Sequence, residues 1–205
     1  MKIETLKSKQ QEILPWLKEF RGFYLVGGTA LALQMGHRVS VDFDLFTAGD
    51  LPTGLLNRVK KVFKGYKVSV VIKLPEQLSV KVNDVKIDFV NHRFAFILPP
   101  LEFKKVKIVQ ISEIAAMKAF ALNFRGSNKD YVDLYFILKE KYSSLSEIAE
   151  IGERKYGNEF NFRLFLEQLL YLDGLKKVEI EFLRDKVSEK QMIDFFTKEI
   201  KNLKL

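Results

Sequence analysis

At 205 residues, with 47% apolar, 13% aromatic and 29% charged side chains, the chain is long enough for one domain or two small lobes and is neither a long repeat array nor wholesale disordered. The absence of Cys and the presence of only two His, His37 and His92, exclude disulfide scaffolds, thiol nucleophiles and Cys-ligated zinc, so any metal falls to oxygen ligands. The formal net charge is +8, and from Gly54 to Arg125 there are 14 Lys/Arg against 5 Asp/Glu, a local field that suits a polyanion or else a solvated, lysine-rich surface.

The first residues, MKIETLKSKQQEILPWLKEF, carry charges throughout, and no stretch approaches the ~18 apolar residues of a membrane span, so a soluble cytoplasmic protein is expected. Glu4 to Phe20 reads as an amphipathic helix that Pro15 bends or splits, with Leu6, Ile13, Leu14, Leu17 and Phe20 on one side. Phe23 to Val26 is a short buried strand, broken by Gly27-Gly28. A helix follows over Thr29 to Met35 and stops at Gly36. Val41 to Phe46 alternates apolar and acidic residues, Leu55 to Phe63 reads as a helix, and Lys67 to Lys73 alternates again. Leu78 to Val82 and Val85 to Val90 form a predicted hairpin through Asn83-Asp84.

Pro99-Pro100 interrupts the pattern and Val106 to Val109 offers one more strand. From Ser112 the signal is helical almost to the end, with helices expected near Asn128 to Lys139, Leu145 to Lys155, Glu159 to Leu172 and Ser188 to Asn202. Trp16, Phe160, Phe162 and Phe165 read as core anchors. The periodicities predict an α+β chain: a lobe with a small mixed sheet over residues 1–110, then a helical lobe over 111–205.

Three features carry chemistry. Gly27-Gly28-Thr29, between strand and helix, either offers backbone N–H groups to a phosphate or only permits tight packing. Asp42 and Asp44 emerge on one face of their strand, since strand side chains repeat with period two. Mg²⁺, neighbouring basic residues or open solvent would each accommodate that pair. Asp88 breaks an otherwise apolar strand, with Lys86 on its face. If that strand pairs beside the first, Asp88 joins the other two, an arrangement suited to two divalent ions and in-line displacement at phosphorus.

The run GGTALALQMGHRVSVDFDLF, with Gly28 and Asp42 separated by 14 positions, resembles the signature of polymerase-β-type nucleotidyltransferases, in the branch of AbiEii/AbiGii-like toxins from abortive-infection and toxin–antitoxin systems. The resemblance covers Phe23 to Leu138. It implies a polymerase-β-like lobe followed by a helical lobe that closes the active-site cleft. It also implies triphosphate binding by Gly27, Gly28 and Thr29, metal binding by Asp42 and Asp44, and support from Arg38 and Ser40; Asp88 is expected as the third acid at the metal, drawing the acceptor proton directly or through it. The family's second motif reads IAAMKAFALNFRGSNKDYVDLYFIL. There the resemblance assigns phosphate contacts to Lys118, with Arg125 and Lys129 as further basic groups. Asp130 or Asp133 would orient Lys118 or the metal-bound substrate.

The implied activity is Mg²⁺-dependent transfer of a nucleotidyl group from an NTP to an acceptor hydroxyl, with RNA, and the 3′ end of tRNA in particular, as acceptor. The implied role is a toxin restrained by an antitoxin. Two other classes stay open: a catalytically silent NTP- or RNA-binding module, and a transferase acting on a protein or small molecule. Tyr131 and Tyr135, at i and i+4, either stack on a base or pack in the core. His37 and His92 are not required by this chemistry and are expected at the surface or behind the site.

Overall fold

The computed structural model describes residues 1–124, 126–172, 175 and 177–203, and the chain divides into two units, Met1–Gln110 and Ile111–Leu205.

Unit 1 is built on a seven-stranded mixed sheet. Its strands are β1 (Tyr24–Val26), β2 (Asp42–Thr47), β3 (Val68–Lys73), β4 (Gln77–Val82), β5 (Val85–Asn91), β6 (Leu101–Phe103) and β7 (Val106–Ile108), in the spatial order β3-β4-β5-β2-β1-β7-β6. The β2/β5 and β1/β7 pairs are parallel and the other neighbours antiparallel. Alternation decides what each face carries. Leu25, Phe43, Leu45, Val80, Ile87 and Phe89 are all buried, and Phe20 and Phe23 pack on Phe89 with ring centroids 4.8 and 5.2 Å away. The intervening residues of β2 and β5, among them Asp42, Asp44, Lys86 and Asp88, occupy the opposite face.

The local signals explain the elements. The N-terminal segment is split as the proline requires: α1 (Ser8–Ile13) gives way to a 3-10 turn, Leu14–Glu19, with Pro15 in its first positions, where a missing N–H costs nothing. The change of pitch keeps Leu14 and Leu17 buried but leaves Trp16 42% exposed, so Trp16 is not the core anchor expected of it. Helix α2 (Gly27–Met35) ends at Gly36, whose φ of 73° is left-handed and cheap only for glycine. Helix α3 (Leu55–Val62) follows β2. At the β4–β5 hairpin Asn83 and Asp84 both have positive φ, 46° and 72°, the conformation that favours Asn and Asp in two-residue turns. Strand β6 is absent from the periodicity. It spans three residues and returns through Lys104 and Lys105, also at positive φ, a turn without the usual Gly, Asn or Asp.

Unit 2 is helical: α4 (Ile111–Leu122), α5 (Asn128–Lys139), α6 (Leu145–Tyr156), α7 (Phe162–Leu169) and α8 (Glu189–Lys201). Helix α4 packs on α5, α6 and α7, and α8 on α5 and α7. Helix α7 is shorter than the sequence suggests because Asn161 caps it, its Oδ1 accepting the Leu164 N–H at 2.9 Å. Phe165 is fully buried and Phe160 nearly so. Phe120 and Tyr156 stack nearly parallel, centroids 3.9 Å apart. No helix among the described residues is long and apolar enough to cross a membrane.

Candidate active site

In unit 1 the polar groups are placed by two strand registers and one tight turn. Val26 of β1 pairs with Asp44 of β2, and Asp44 pairs in parallel with Asp88 of β5, while Asp42 sits opposite Lys86. Neighbouring strands lie ~4.8 Å apart, so Asp44 and Asp88 are adjacent on one face, with Ser79 of β4 next in the row.

Gly27 opens α2 at φ +68°, and a β-carbon there would fall on the Asp44 carboxylate. A β-carbon on Gly28 would lie 2.5 Å from Arg38 Nη2 and 3.4 Å from Ser40 Oγ. The two glycines therefore let backbone approach the acid on one side and the guanidinium on the other, with the N-terminus of α2 and its N–H groups at the same place.

Thr29 and Arg38 are buried, as is most of Ser40. The Thr29 hydroxyl donates to the Asp42 carbonyl oxygen and lies 2.7 Å from Ser40 Oγ, which ties α2 to the first residue of β2. Arg38 Nη1 donates to the Val39 carbonyl at 3.1 Å.

Lys86 Nζ is paired with Asp88 Oδ2. The other oxygen, Asp88 Oδ1, is buried and accepts no hydrogen bond. An ionised carboxylate oxygen left so costs more than the ~1–3 kcal/mol of a neutral group. Burial pulls the Lys86 ammonium toward losing its proton, but its bond to Asp88 and the charges of Asp88, Asp42 and Asp44 outweigh this and raise its pKa. A cation is thus already favoured among these three acids.

Hard carboxylate oxygens, one of them buried without a hydrogen bond, are a donor chemistry that fits Mg²⁺. Among the described residues, however, no three acidic or imidazole side chains are grouped tightly enough to hold a metal as they stand.

Unit 2 carries a second polar centre. Lys118 Nζ on α4 donates to Asp130 Oδ1 at 2.6 Å and lies 2.8 Å from Asp133 Oδ2, both on α5. The Asp133 side chain is wholly buried and that of Lys118 is 10% exposed. Asp130 Oδ2 also accepts from the N–H and hydroxyl of Ser127, at 3.1 and 2.9 Å, as the α5 capping box. Burial works against charge at Lys118, but Asp133 and Asp130 more than compensate and raise its pKa well above the usual lysine range. For Asp130 burial likewise works against charge, and the Lys118 ammonium and the Ser127 bond win, lowering its pKa.

Of the other residues singled out by sequence, Lys129 is half-buried on α5 beside this centre, and Arg125 lies outside the described residues. Tyr131 is buried, its hydroxyl donating to the carbonyls of Gln168 and Tyr171 at 2.9 and 3.2 Å, so it packs and does not offer a stacking face. His37 is buried rather than superficial, and His92 is half-buried against Phe46, Phe94 and Phe96.

Sequence reasoning missed Glu113 and Lys155, whose side chains are both fully buried and pair at 2.8 Å between α4 and α6. Burial lowers the Lys155 pKa despite that bond. Their separation of 42 positions leaves no periodic signal of the pairing.

Residues 11–204 match the family described as "Nucleotidyl transferase AbiEii toxin, Type IV TA system". An uncharacterized protein of Aquifex aeolicus (strain VF5), aq_aa25, is 29% identical over 204 residues, covering 97% of this chain and 98% of that protein. Among solved structures, the chain is similar to MenT4, a nucleotidyltransferase toxin of Mycobacterium tuberculosis H37Rv, with a TM-score of 0.61 at 14% identity over 96% of this chain and 83% of that one. It is also similar to a putative nucleotidyltransferase of H. pylori, with a TM-score of 0.56 at 18% identity over 96% of both chains. At such identities these two structures establish the shared α+β nucleotidyltransferase fold.

Proposed function

Because the chain belongs to the AbiEii family of nucleotidyltransferase toxins, we propose that the acid-bearing face of its sheet transfers a nucleoside monophosphate from an NTP to an acceptor hydroxyl. The observation that carries this reading is the parallel β2/β5 register, which sets Asp88 beside Asp44, the acid that lies against the Gly27 turn.

Asp42, Asp44 and Asp88 are the residues that would hold Mg²⁺, which when bound supplies charge to polarise phosphoryl oxygens and lower the pKa of a coordinated hydroxyl. The chain's own groups do the rest. The N–H groups that open α2 at Gly27 and Gly28 receive phosphate oxygens in a preformed array, so no dipoles need reorganise as charge develops. Thr29, Arg38 and Ser40 hold that turn against β2 and act as supports. Lys118, clamped by Asp130 and Asp133, is assigned to phosphate binding by the family resemblance, with Arg125 and Lys129 as additional cations.

The acceptor we propose is RNA, the 3′ end of tRNA being the form the resemblance implies. A cavity of about 460 Å³ in unit 1 supports a polyanionic acceptor: Lys18, Arg21, Lys105 and Lys107 line it, with Glu19 as the one acid. Such a cluster releases counterions on binding a phosphate backbone. A cognate antitoxin is the partner that the family's toxin–antitoxin description suggests.

The test is incubation of the purified protein with labelled NTPs, Mg²⁺ and total cellular RNA, beside Asp42→Ala and Asp44→Ala. Label on RNA that disappears in both variants is the expected result. Label on protein or a small molecule would redirect the acceptor, and nucleotide binding without transfer under broad conditions would leave a silent binding module.

A further inference from the structure

The mechanism just proposed gives Lys86 no part, yet its ammonium is in direct contact with Asp88, an acid of the site. Strand alternation puts it on the face of Asp42, Asp44 and Asp88, and the register sets it opposite Asp42. Its Nζ engages Asp88 Oδ2, leaving Asp88 Oδ1 buried without a hydrogen bond. The Lys86 side chain is 34% exposed against 9% for Asp88, so the ammonium has a route to solvent that the carboxylate lacks. A lysine stem allows such a swing without moving the strand.

We infer that Lys86 is a built-in counter-cation: in the nucleotide-free chain it holds the Asp88 position of the metal site, and it yields that position when a divalent ion enters. This rests on the reading of the three aspartates as metal ligands. Two demands on the same residues produce it. Clustered carboxylates repel one another and destabilise the fold unless a positive charge lies among them. An ammonium and a divalent ion cannot both occupy the space beside Asp88 without strong repulsion. The lysine satisfies the first demand and thereby weakens binding of free metal. Metal brought with a triphosphate gives the displaced ammonium a new anionic partner, so the lysine favours binding of the two together. Lys86 is a positioning residue in this scheme, acting through Asp88.

The inference is tested with Mn²⁺ as probe, its affinity for the nucleotide-free protein followed by loss of the free-ion EPR signal. Lys86→Met and Lys86→Gln are compared with wild type, and Lys86→Arg serves as the charge-conserving control. The expected result is at least tenfold tighter Mn²⁺ binding in Lys86→Met and Lys86→Gln, with wild-type affinity in Lys86→Arg. The thermal midpoint of the two neutral variants should fall in chelator and recover with Mn²⁺. Unchanged or weaker Mn²⁺ affinity in the neutral variants overturns the role of Lys86 while the metal reading stands. Mn²⁺ binding that is absent from every form, or that survives Asp44→Asn unaltered, overturns the metal reading itself and this inference with it. Should one neutral variant fail to fold, the other decides.

Discussion

Replacing Lys118 with Met removes the ammonium that joins α4 to α5 and keeps most of the stem's volume. Asp133, wholly buried, then loses the cation 2.8 Å away, and breaking one side of such a pair costs about 3–5 kcal/mol. Asp130 contributes less to the loss, because its carboxylate is 24% exposed and keeps its bonds to Ser127. For a chain of this size the loss corresponds to a fall of roughly 6–20 °C in thermal midpoint. A double-mutant cycle by urea unfolding and thermal melting measures it, with Lys118→Met, Asp133→Leu and the pair combined. The combined variant should regain about 2 kcal/mol or more relative to the sum of the singles, since the wholly buried Asp133 carboxylate is no longer left without its cation and the one acid that remains, Asp130, is partly exposed and bonded to Ser127. Additivity within about 0.5 kcal/mol would show that the two groups do not depend on one another and would remove the basis for treating them as a buried pair.

The pH dependence of this centre has a definite sign. The lowered Asp130 pKa gives stability that is present above the unfolded carboxylate value and lost as pH falls below about 4. The raised Lys118 pKa gives stability that is intact below the unfolded lysine value and lost only in strong alkali, so melts between about pH 5 and 9 should show no titration from either group. Gly27→Ala should cost about 1–2 kcal/mol for its left-handed φ and more for the collision with Asp44, and nucleotide transfer should fall further than melting temperature does. A simultaneous Glu113→Leu and Lys155→Met change should be neutral or stabilising, whereas Lys155→Met alone should destabilise by about 3–5 kcal/mol; chemical denaturation separates the two outcomes. Charge reversal at Lys105 and Lys107 should weaken RNA binding and flatten its salt dependence by about one unit for each phosphate no longer neutralised, read by fluorescence anisotropy across ionic strengths.

How far these features can be read from sequence depends on their range along the chain. The Gly27 turn, the Asp42/Asp44 pair and the Asn83-Asp84 hairpin are local, each written in a few adjacent residues whose period or dihedral preference decides the outcome. The pairing of Lys118 with Asp130 and Asp133 is half-legible, because charges on apolar helices demand partners even when the partner is not identified. The Asp44–Asp88 neighbourhood depends on which strands pair across an intervening α/β segment, which periodicity alone does not fix. The Glu113–Lys155 pair and the exposure of Trp16 are set by helix packing and by a change of pitch at Pro15, and β6 by a two-lysine turn that no common turn signal marks.

The fate of the nucleotide's phosphorus bears most directly on the proposed chemistry. With RNA as acceptor and Mg²⁺ present, parallel reactions with α-phosphate-labelled and γ-phosphate-labelled NTP should transfer the α label alone, and Asp44→Asn should abolish it. Transfer of the γ label, or α-label transfer that persists in Asp44→Asn, would be incompatible with nucleotidyl transfer at the carboxylate face.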